Sequence, residues 1–383
     1  MRWTKLISNV CMIIGLLGSY FVHTSDAKAS DWRAINGAMT YKNETLFAIK
    51  GVNWFGFETC DYVVHGLWVH PLTWYLDFIQ ANDFNVIRLP FSQQWVLHSW
   101  ETQKPNPQSI SADSSLQGKT SLEIMDIFFE ECRKRGIFIL LDMHRLKCEA
   151  QSHELWYSID GAGYTNETFF QSWQKMIDRY ANYPNFHGVD LLNEPRSLAN
   201  WGNDPFTSWN LCVEAAYKTL RYDGTYYAEG IDWGRSFEGM KDHPIRIDDQ
   251  TRIIYSSHVY GPSVVGNMNL DPIVLHSNWH KIFGYLVLEH KTVVIGEWGG
   301  RFENADRVWQ NLFVDYLLSV RVPGIYWSLN PNSGDTGGLL QDDWTNPRTD
   351  KLELLQRLQP YPTKIENISD SPVVRRMLRT PSH

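Results

Sequence analysis

The chain has 383 residues, with 35 Lys and Arg against 43 Asp and Glu, which gives a formal net charge of −8. This acidic balance and the lack of a long basic run disfavour nucleic acid and anionic membrane surfaces as partners. Aromatic residues make up 14% of the chain, and most of these rings are expected in the core.

The first segment has the pattern of an export signal. Two basic residues precede an apolar stretch from Val10 to Leu17, and Ala27-Lys28-Ala29 is a small-x-small cleavage pattern. An uncleaved anchor is the weaker alternative, because the stretch is far shorter than the roughly 20 residues that span a bilayer. We therefore predict a signal peptide over residues 1–29 and a secreted chain over residues 30–383, with no membrane association after cleavage.

From Ala48 onward, short apolar runs alternate with amphipathic helical patterns, which is typical of βα units around a parallel sheet. The clear strands are Ile49–Phe55, Val86–Phe91, Ile137–Met143, Val189–Leu192, Arg252–His258, Thr292–Trp298 and Gly324–Leu329. The fifth strand, near Tyr226–Gly230, is weak, because a polar stretch precedes it and no clear helix follows it. The predicted helices are Pro71–Ala81, Ser121–Arg135, Glu167–Tyr180, Phe206–Leu220, Asn278–Glu289, Asn304–Ser319 and one near Asp350–Leu358. We predict an α/β fold, a (β/α)8 TIM barrel that forms one catalytic domain.

Four cysteines remain outside the signal segment, and four allow three disulfide pairings. Cys132 and Cys212 fall within helical patterns, where a buried free thiol is the commoner state, although their pairing stays open. Cys60 and Cys148 follow predicted strands, in loops on one face. We favour a bridge between these two, which contributes roughly 4 kcal/mol in the chain-entropy description of a long closed loop.

Three further features concern the surface. Asn-x-Ser/Thr sequons begin at Asn43, Asn166 and Asn367, so a host that glycosylates such sites could modify the chain there. The segment Gln103–Gln117 is predicted to be a surface loop on the active-site side of the second strand. We expect no appended carbohydrate-binding module.

Polar or aromatic residues close most of the predicted strands. Side chains at the carboxyl ends of barrel strands converge on one cavity. Each of these residues alone has an ordinary explanation, such as a salt-bridge partner or a core histidine, but their recurrence predicts a shared site. They are Arg88, His144, Asn193, Glu194, His258, Tyr260, Glu297 and Trp327.

Two of these residues are glutamates. A retaining glycosidase uses two carboxyl groups about 5 to 5.5 Å apart, one protonated and one ionised. Glu297 is the predicted nucleophile, and Arg88 with the Tyr260 hydroxyl would lower its pKa. Glu194 is the predicted acid, and the charge of Glu297 would raise its pKa. Once Glu297 is esterified, Glu194 can act as the base for water.

The other strand-end residues would support this reaction. Asn193 is placed to bind the sugar 2-hydroxyl, a contact that strengthens in the transition state. His144 and His258 would complete a hydrogen-bond network, and Trp327 would form a floor for the sugar, because flat rings suit stacking on pyranoses.

Motifs for other chemistries are missing from the sequence. It has no His-Glu-x-x-His or Cys-x-x-Cys metal motif. The glycines of Gly334–Gly338 lack the spacing of a phosphate loop, and no Ser lies in a Gly-x-Ser-x-Gly elbow. We therefore expect neither a cofactor nor a metal.

The chain resembles glycoside hydrolase family five, in the clan whose acid and nucleophile end the fourth and seventh barrel strands. The runs Gly51–Cys60, Val63–Trp68 and Trp327–Gly338 are similar to those of secreted bacterial-type endo-β-1,4-glucanases, or cellulases. The resemblance covers nearly the whole mature chain. It implies the same roles for the residues named above, stacking of Trp68 and Trp327 on glucosyl units, and the Cys60–Cys148 pair.

Two departures from the family pattern limit the resemblance. The stretch from Arg221 to Gln250 is polar and irregular, so a substrate contact by Trp233 is not carried over. Trp298 stands where Phe is common after the nucleophile, which raises the prospect of a shifted neighbouring subsite.

The sequence thus predicts a monomeric, secreted, retaining endo-β-1,4-glucanase that needs only water and a β-glucan polysaccharide. The main alternative is the same machinery on another substrate, such as mannan, β-1,3-glucan, xyloglucan or a glucosylated lipid. A non-catalytic carbohydrate-binding protein is the alternative from another class, and a missing catalytic residue would mark it. None is missing here.

Overall fold

The computed structural model describes residues 30–42, 45–149, 154–365 and 368. The predicted signal peptide over residues 1–29 and the sequon residues Asn43 and Asn367 lie outside this part of the chain. Asn166 lies inside it and is exposed at the start of a helix. Among the described residues, no helix is both long and apolar enough to cross a membrane.

Eight parallel strands close into a barrel, as the sequence predicts. They follow one another around the barrel in chain order, and the last pairs with the first. The weak strand near Tyr226–Gly230 is confirmed as the fifth of them. The barrel strands are β4 Gly51–Asn53, β5 Val86–Ser92, β6 Phe138–Arg145, β7 Phe186–Asp190, β8 Tyr226–Glu229, β9 Ile253–His258, β10 Val293–Trp298 and β11 Gly324–Tyr326.

A small antiparallel sheet, which the sequence did not predict, precedes the barrel. Its strands are β1 Trp32–Ile35, β2 Ala38–Tyr41 and β3 Thr45–Leu46. Trp32 is buried and meets the rings of Phe47, Phe138 and His187 edge-on. Phe138 is the first residue of β6 and His187 is the second residue of β7. The small sheet therefore closes the amino end of the barrel and leaves the carboxyl end for a site.

Helices surround the barrel, and most predicted helix boundaries are confirmed to within one to three residues. The exception is Asn278–Glu289, which is helical up to Leu288 but belongs to a helical stretch that begins earlier, at Pro272, and contains a π-helical turn at His280–Gly284. The helices are α1 Leu72–Ala81, α2 Ser121–Lys134, α3 Asn166–Tyr180, α4 Trp209–Thr219, α5 Pro262–Val265, α6 Pro272–Trp279, α7 Tyr285–Leu288, α8 Asn304–Val320 and α9 Thr349–Leu358. Shorter turns are Trp95–Ser99, Pro107–Ile110, Ser114–Leu116 and Gln250–Arg252.

Local sequence signals set the start of two of these helices. Thr120 accepts a hydrogen bond from the backbone of Glu123, whose carboxylate accepts one from the backbone of Thr120, and α2 begins there. Thr165 and Thr168 form the equivalent capping box for α3. Such caps satisfy backbone N–H groups that have no partner within the helix.

The segment Gln103–Gln117 is more ordered than the predicted surface loop. It contains two 3₁₀ turns, and Ile110 and Leu116 are buried. Asp113 Oδ2 accepts a hydrogen bond from the backbone N–H of Leu72 at 2.9 Å, which fastens the segment to the start of α1. The Pro, Ser and Asn content indicated turns but not this packing.

The predicted disulfide between Cys60 and Cys148 is present. It joins the loop after β4 to the loop after β6, so it crosses the carboxyl face of the barrel. Cys132 in α2 and Cys212 in α4 are free and buried.

Candidate active site

Arg88 is the centre of the site. It lies on β5 and is fully buried. Four carboxylates surround its guanidinium within 3.1 Å, and the amide oxygens of Asn53 and Asn193 accept from it at 3.0 and 3.1 Å. The four are Asp142 at 3.1 Å, Asp190 at 2.8 Å, Glu229 at 2.9 Å and Glu297 at 2.6 Å. Burial lowers the pKa of Arg88, but these charges outweigh it and hold the pKa well above its usual value.

Three of these carboxylates were missed from the sequence, because each lies inside a predicted apolar strand. Asp142 is in β6, Asp190 ends β7 and Glu229 ends β8, and all three are fully buried. A buried carboxylate is costly unless it is paired. A lone acid within an otherwise apolar strand was the signal that could have found them.

Glu297 is held at both carboxylate oxygens. It is the next-to-last residue of β10; its Oε1 accepts from Arg88 Nη1 at 2.6 Å, and its Oε2 accepts from the Tyr260 hydroxyl at 2.7 Å. Burial raises the pKa of Glu297, but the charges of His258 and Arg88 and the Tyr260 hydrogen bond bring it below the usual value. Its ionised form is therefore favoured, as predicted.

Glu194 lies four residues beyond the end of β7, in a left-handed backbone conformation with φ of 54°. Its backbone N–H donates to Glu229 Oε2 at 2.7 Å, and its side chain is 19% exposed. Burial is the largest cause that raises the pKa of Glu194, and the charge of Glu297 adds to it. The pKa of Glu194 is thus raised, as predicted, but burial contributes to this rise in addition to the charge of Glu297.

The two glutamates face each other. One oxygen of each carboxylate and a ring nitrogen of His258 all lie within 4.8 Å of one another. Retaining glycosidases hold their carboxyl groups about 5 to 5.5 Å apart, and inverting ones about 6.5 to 9.5 Å. The separation fits direct attack by one carboxylate better than insertion of a water molecule.

The remaining predicted residues line the same end of the barrel. His144 Nδ1 lies 2.6 Å from Asp142 Oδ2, and burial lowers the pKa of His144 to about 4, so the ring is neutral near neutral pH. Trp327 stacks with His144 and with Phe55, each at 5.4 Å, and its indole N–H donates to Ser333 Oγ at 3.1 Å. These contacts fix the plane of the Trp327 ring.

Three other tryptophans have different surroundings. Trp68 is 36% exposed beside Trp344, at a ring distance of 4.9 Å. Trp233, which the resemblance left unassigned, is 55% exposed in the turn after β8, directly before Gly234, whose carbonyl accepts from the His258 N–H. Trp298 is fully buried against Phe313 and Tyr326, so it packs toward α8 and not in the cleft. A shifted subsite is therefore not explained by Trp298.

Two carboxylate and histidine sets in the site have metal-ligand spacing: Asp190 with Glu229 and His258, and Glu194 with His258 and Glu297. Arg88 contacts a carboxylate of each set within 2.9 Å. The buried Arg88 guanidinium already supplies a positive charge at these oxygens. The two sets of side chains therefore suit this arginine better than a divalent metal ion.

Comparison with known proteins gives consistent findings. Residues 43–333 match the family model described as Cellulase (glycosyl hydrolase family 5). An endoglucanase from Paenibacillus polymyxa is 35% identical over 334 residues, which are 81% of this chain and 82% of that protein. The major extracellular endoglucanase of Xanthomonas campestris pv. campestris is 36% identical over 334 residues, 81% of this chain and 67% of that protein.

Solved structures agree with these relatives. A hyperthermophilic endocellulase from the archaeon Pyrococcus horikoshii superposes with a TM-score of 0.80 at 34% identity, covering 86% of this chain and 100% of that one. A Glu-to-Ala variant of an endocellulase from Pyrococcus horikoshii, in complex with cellotetraose, gives a TM-score of 0.80 at 33% identity, covering 87% of this chain and 99% of that one.

Proposed function

The chain belongs to glycosyl hydrolase family 5, and from this premise we propose that it is a retaining endo-β-1,4-glucanase. Its substrate is cellulose or a related β-glucan, cleaved at internal bonds. The observation that carries the proposal is the pair of glutamates, with Glu297 held by Arg88 and Tyr260, and Glu194 within 4.8 Å of it.

The first displacement forms a covalent intermediate. An oxygen of Glu297 attacks the anomeric carbon while Glu194 gives its proton to the glycosidic oxygen, and the bond between that oxygen and the anomeric carbon breaks. The aglycone leaves as an alcohol, and the sugar remains as an ester of Glu297. The opposite pKa shifts of the two glutamates supply one ionised and one protonated carboxyl at the start.

The second displacement regenerates the enzyme. Esterification removes the charge of Glu297, one of the causes that raise the pKa of Glu194, so Glu194 stays ionised after it has given up its proton and can act as the base. It takes a proton from water, and the water oxygen attacks the anomeric carbon and releases Glu297. Two inversions return the original β configuration.

Neighbouring residues orient the sugar at the cleavage point. Asn193 accepts from Arg88 at 3.1 Å, which turns the other end of its amide away from the guanidinium and toward a sugar hydroxyl. Trp327 forms the floor for that sugar, and Trp68 offers a second platform. His144 and His258 complete the hydrogen-bond network.

The names of the relatives support a β-1,4-glucan over the alternative substrates. The curated relatives are endoglucanases, and a solved neighbour binds cellotetraose. A mannanase, a β-1,3-glucanase or a glucosylceramide-type hydrolase is not favoured by these names. The complete catalytic set disfavours a non-catalytic binding protein.

We also propose secretion after removal of residues 1–29. A relative is named as a major extracellular endoglucanase, and the Cys60–Cys148 disulfide suits an oxidising compartment. Amino-terminal sequencing of protein from the culture medium tests this, and the expected first residue is Ser30. A mass from light scattering tests the expected monomer.

The substrate test follows viscosity and new reducing ends together on carboxymethyl cellulose, mixed-linkage glucan and mannan. We expect a steep fall in viscosity at few new ends on the cellulose derivative, lost in Glu297→Gln and kept in Glu353→Gln, since Glu353 is exposed on α9. Activity on mannan alone would overturn the substrate, and inactivity on all three polymers would overturn the proposal.

A further inference from the structure

We propose that Glu229 is a positioning residue for the acid/base Glu194. Its buried carboxylate contacts the backbone N–H of Glu194, Arg88 and His258 at one point, which we call the Glu229 junction. This inference rests on the function proposed above. Glu229 was not among the residues found from the sequence, and it touches no reacting atom. It acts through the groups it holds.

Both carboxylate oxygens of Glu229 are engaged. Oε2 accepts from the backbone N–H of Glu194 at 2.7 Å. Oε1 accepts from Arg88 Nη2 at 2.9 Å and lies 3.2 Å from His258 Nε2. Two hydrogen-bond donors and the nearby His258 ring surround a fully buried side chain, an arrangement that suits an ionised carboxylate better than a neutral carboxylic acid.

The backbone bond matters because of the conformation of Glu194. A φ of 54° lies in the left-handed region, which residues with a side chain adopt uncommonly and at a cost. The charge-assisted hydrogen bond that the Glu194 backbone N–H donates to Glu229 stabilises this conformation. It fixes the point from which the Glu194 side chain extends. Without it, this tie between the backbone of Glu194 and the end of β8 is lost.

His258 links Glu229 to both catalytic carboxylates. Its Nε2 faces Glu229, while its Nδ1 lies 3.5 Å from Glu194 Oε1 and 3.6 Å from Glu297 Oε2. Burial lowers the pKa of His258, but the charges of Glu229 and Glu297 outweigh it and raise the pKa well above its usual value. The charged form of the ring is therefore favoured, with Nε2 facing Glu229 and Nδ1 facing the two catalytic carboxylates.

The backbone of Gly234 closes over the same junction. A Cβ at this position would lie 2.6 Å from Glu229 Oε2 and 2.9 Å from the His258 ring, and the residue has φ of 69°. The Gly234 carbonyl also accepts from the backbone of His258 at 3.0 Å. The turn after β8 thus leaves the Glu229 carboxylate little room to move.

Asp190 provides a matched control. It is another fully buried carboxylate on the same guanidinium, through Arg88 Nε at 2.8 Å. Its hydrogen bond is to Arg88, not to the backbone of Glu194. Replacing it removes one negative charge from the cluster and leaves the anchor of Glu194 in place.

Glu229→Gln breaks the junction while conserving shape. An amide has one acceptor oxygen, so it cannot accept from Glu194 and from the cationic pair together, and its N–H₂ end would face donors. Misplacement of Glu194 slows departure of a basic leaving group, which needs the proton, more than departure of an acidic one, which does not. Uniform damage to the site would slow both equally.

The experiment measures kcat/KM, which reports the first displacement, on 2,4-dinitrophenyl and phenyl β-cellobiosides. We expect Glu229→Gln to lose at least tenfold more activity on the phenyl substrate than on the dinitrophenyl one. Asp190→Asn should lose the same factor on both. An equal loss on both substrates in Glu229→Gln, or no loss, would overturn the positioning role.

Two further variants keep the test decisive. Glu194→Gln is the reference, because removing the acid itself must give the strongest dependence on the leaving group. If it gives none, or if the wild-type protein cleaves neither substrate, the proposed function fails and not the role of Glu229. If Glu229→Gln does not fold, as judged by circular dichroism, Glu229→Asp replaces it, and the same dependence is expected from its shorter reach.

Discussion

The Tyr260 hydroxyl donates to Glu297 Oε2 at 2.7 Å, on the carboxylate oxygen that Arg88 does not hold. The proposed nucleophile is thus restrained at both oxygens, by a residue of β5 and by a residue of the loop after β9. Both donors favour its charged form.

Tyr260→Phe removes one of these donors and leaves the ring. Because a hydrogen bond to the charged form lowers a carboxyl pKa, its loss raises the pKa of Glu297. We expect the acid side of the kcat/KM profile to move to higher pH and the rate at the optimum to fall about tenfold to a hundredfold. An unchanged acid limb would show that Tyr260 does not tune the nucleophile.

The pH dependence of the wild-type protein should be bell-shaped. Activity rises as Glu297 ionises, below the usual glutamate pKa, and falls as Glu194 loses its proton, above that value. In Glu194→Gln, the residual activity on phenyl β-cellobioside, whose departure needs the proton, should lack the alkaline limb while the acid limb stays. An alkaline limb that persists would assign it to another group.

Arg88→Lys tests the central cation. Lysine keeps the charge, but its single ammonium cannot reach four carboxylates in the geometry of the guanidinium fork. Since buried carboxylates are left unpaired, we expect a loss of roughly 3 to 5 kcal/mol in the free energy of unfolding, measured with denaturant. Arg357→Lys, on an exposed pair with Asp315, is the control and should change by less than about 0.5 kcal/mol.

The Cys60–Cys148 bridge closes a sequence separation of 88 residues. Replacing both cysteines by serine should lower the free energy of unfolding by up to about 4 kcal/mol, because the unfolded chain regains freedom. Reductant should lower the melting temperature of the wild-type protein but not of this double variant. Equal sensitivity of the two proteins would mean that reduction acts elsewhere.

Much of the fold was predictable, because the barrel strands are buried on both faces and appear as continuous apolar runs. Val86–Ser92 and Val293–Trp298 match their predictions closely for this reason. The sheet of β1 to β3 was not predicted, since strands of two to four residues leave too short a pattern. The π-helical turn at His280–Gly284 carries no pattern distinct from an ordinary helix.

The candidate site was predictable where its residues follow the apolar runs. Glu194, Glu297, Arg88 and Tyr260 were found in this way, and the structure brings them together. Glu229 escaped because it lies within a weak strand, and its importance depends on a contact with a residue 35 positions earlier in the chain. Contacts of this kind exist only once the barrel closes.

We propose that Glu297 forms a covalent bond to the sugar. Incubation with 2-deoxy-2-fluoro-β-cellobiosyl fluoride tests this, because the attacking carboxylate displaces fluoride and forms an ester that water hydrolyses slowly. Peptide mass spectrometry should locate the added sugar on the peptide that contains Glu297. A label on Glu194, or no label on protein that is active on carboxymethyl cellulose, would show that Glu297 is not the nucleophile.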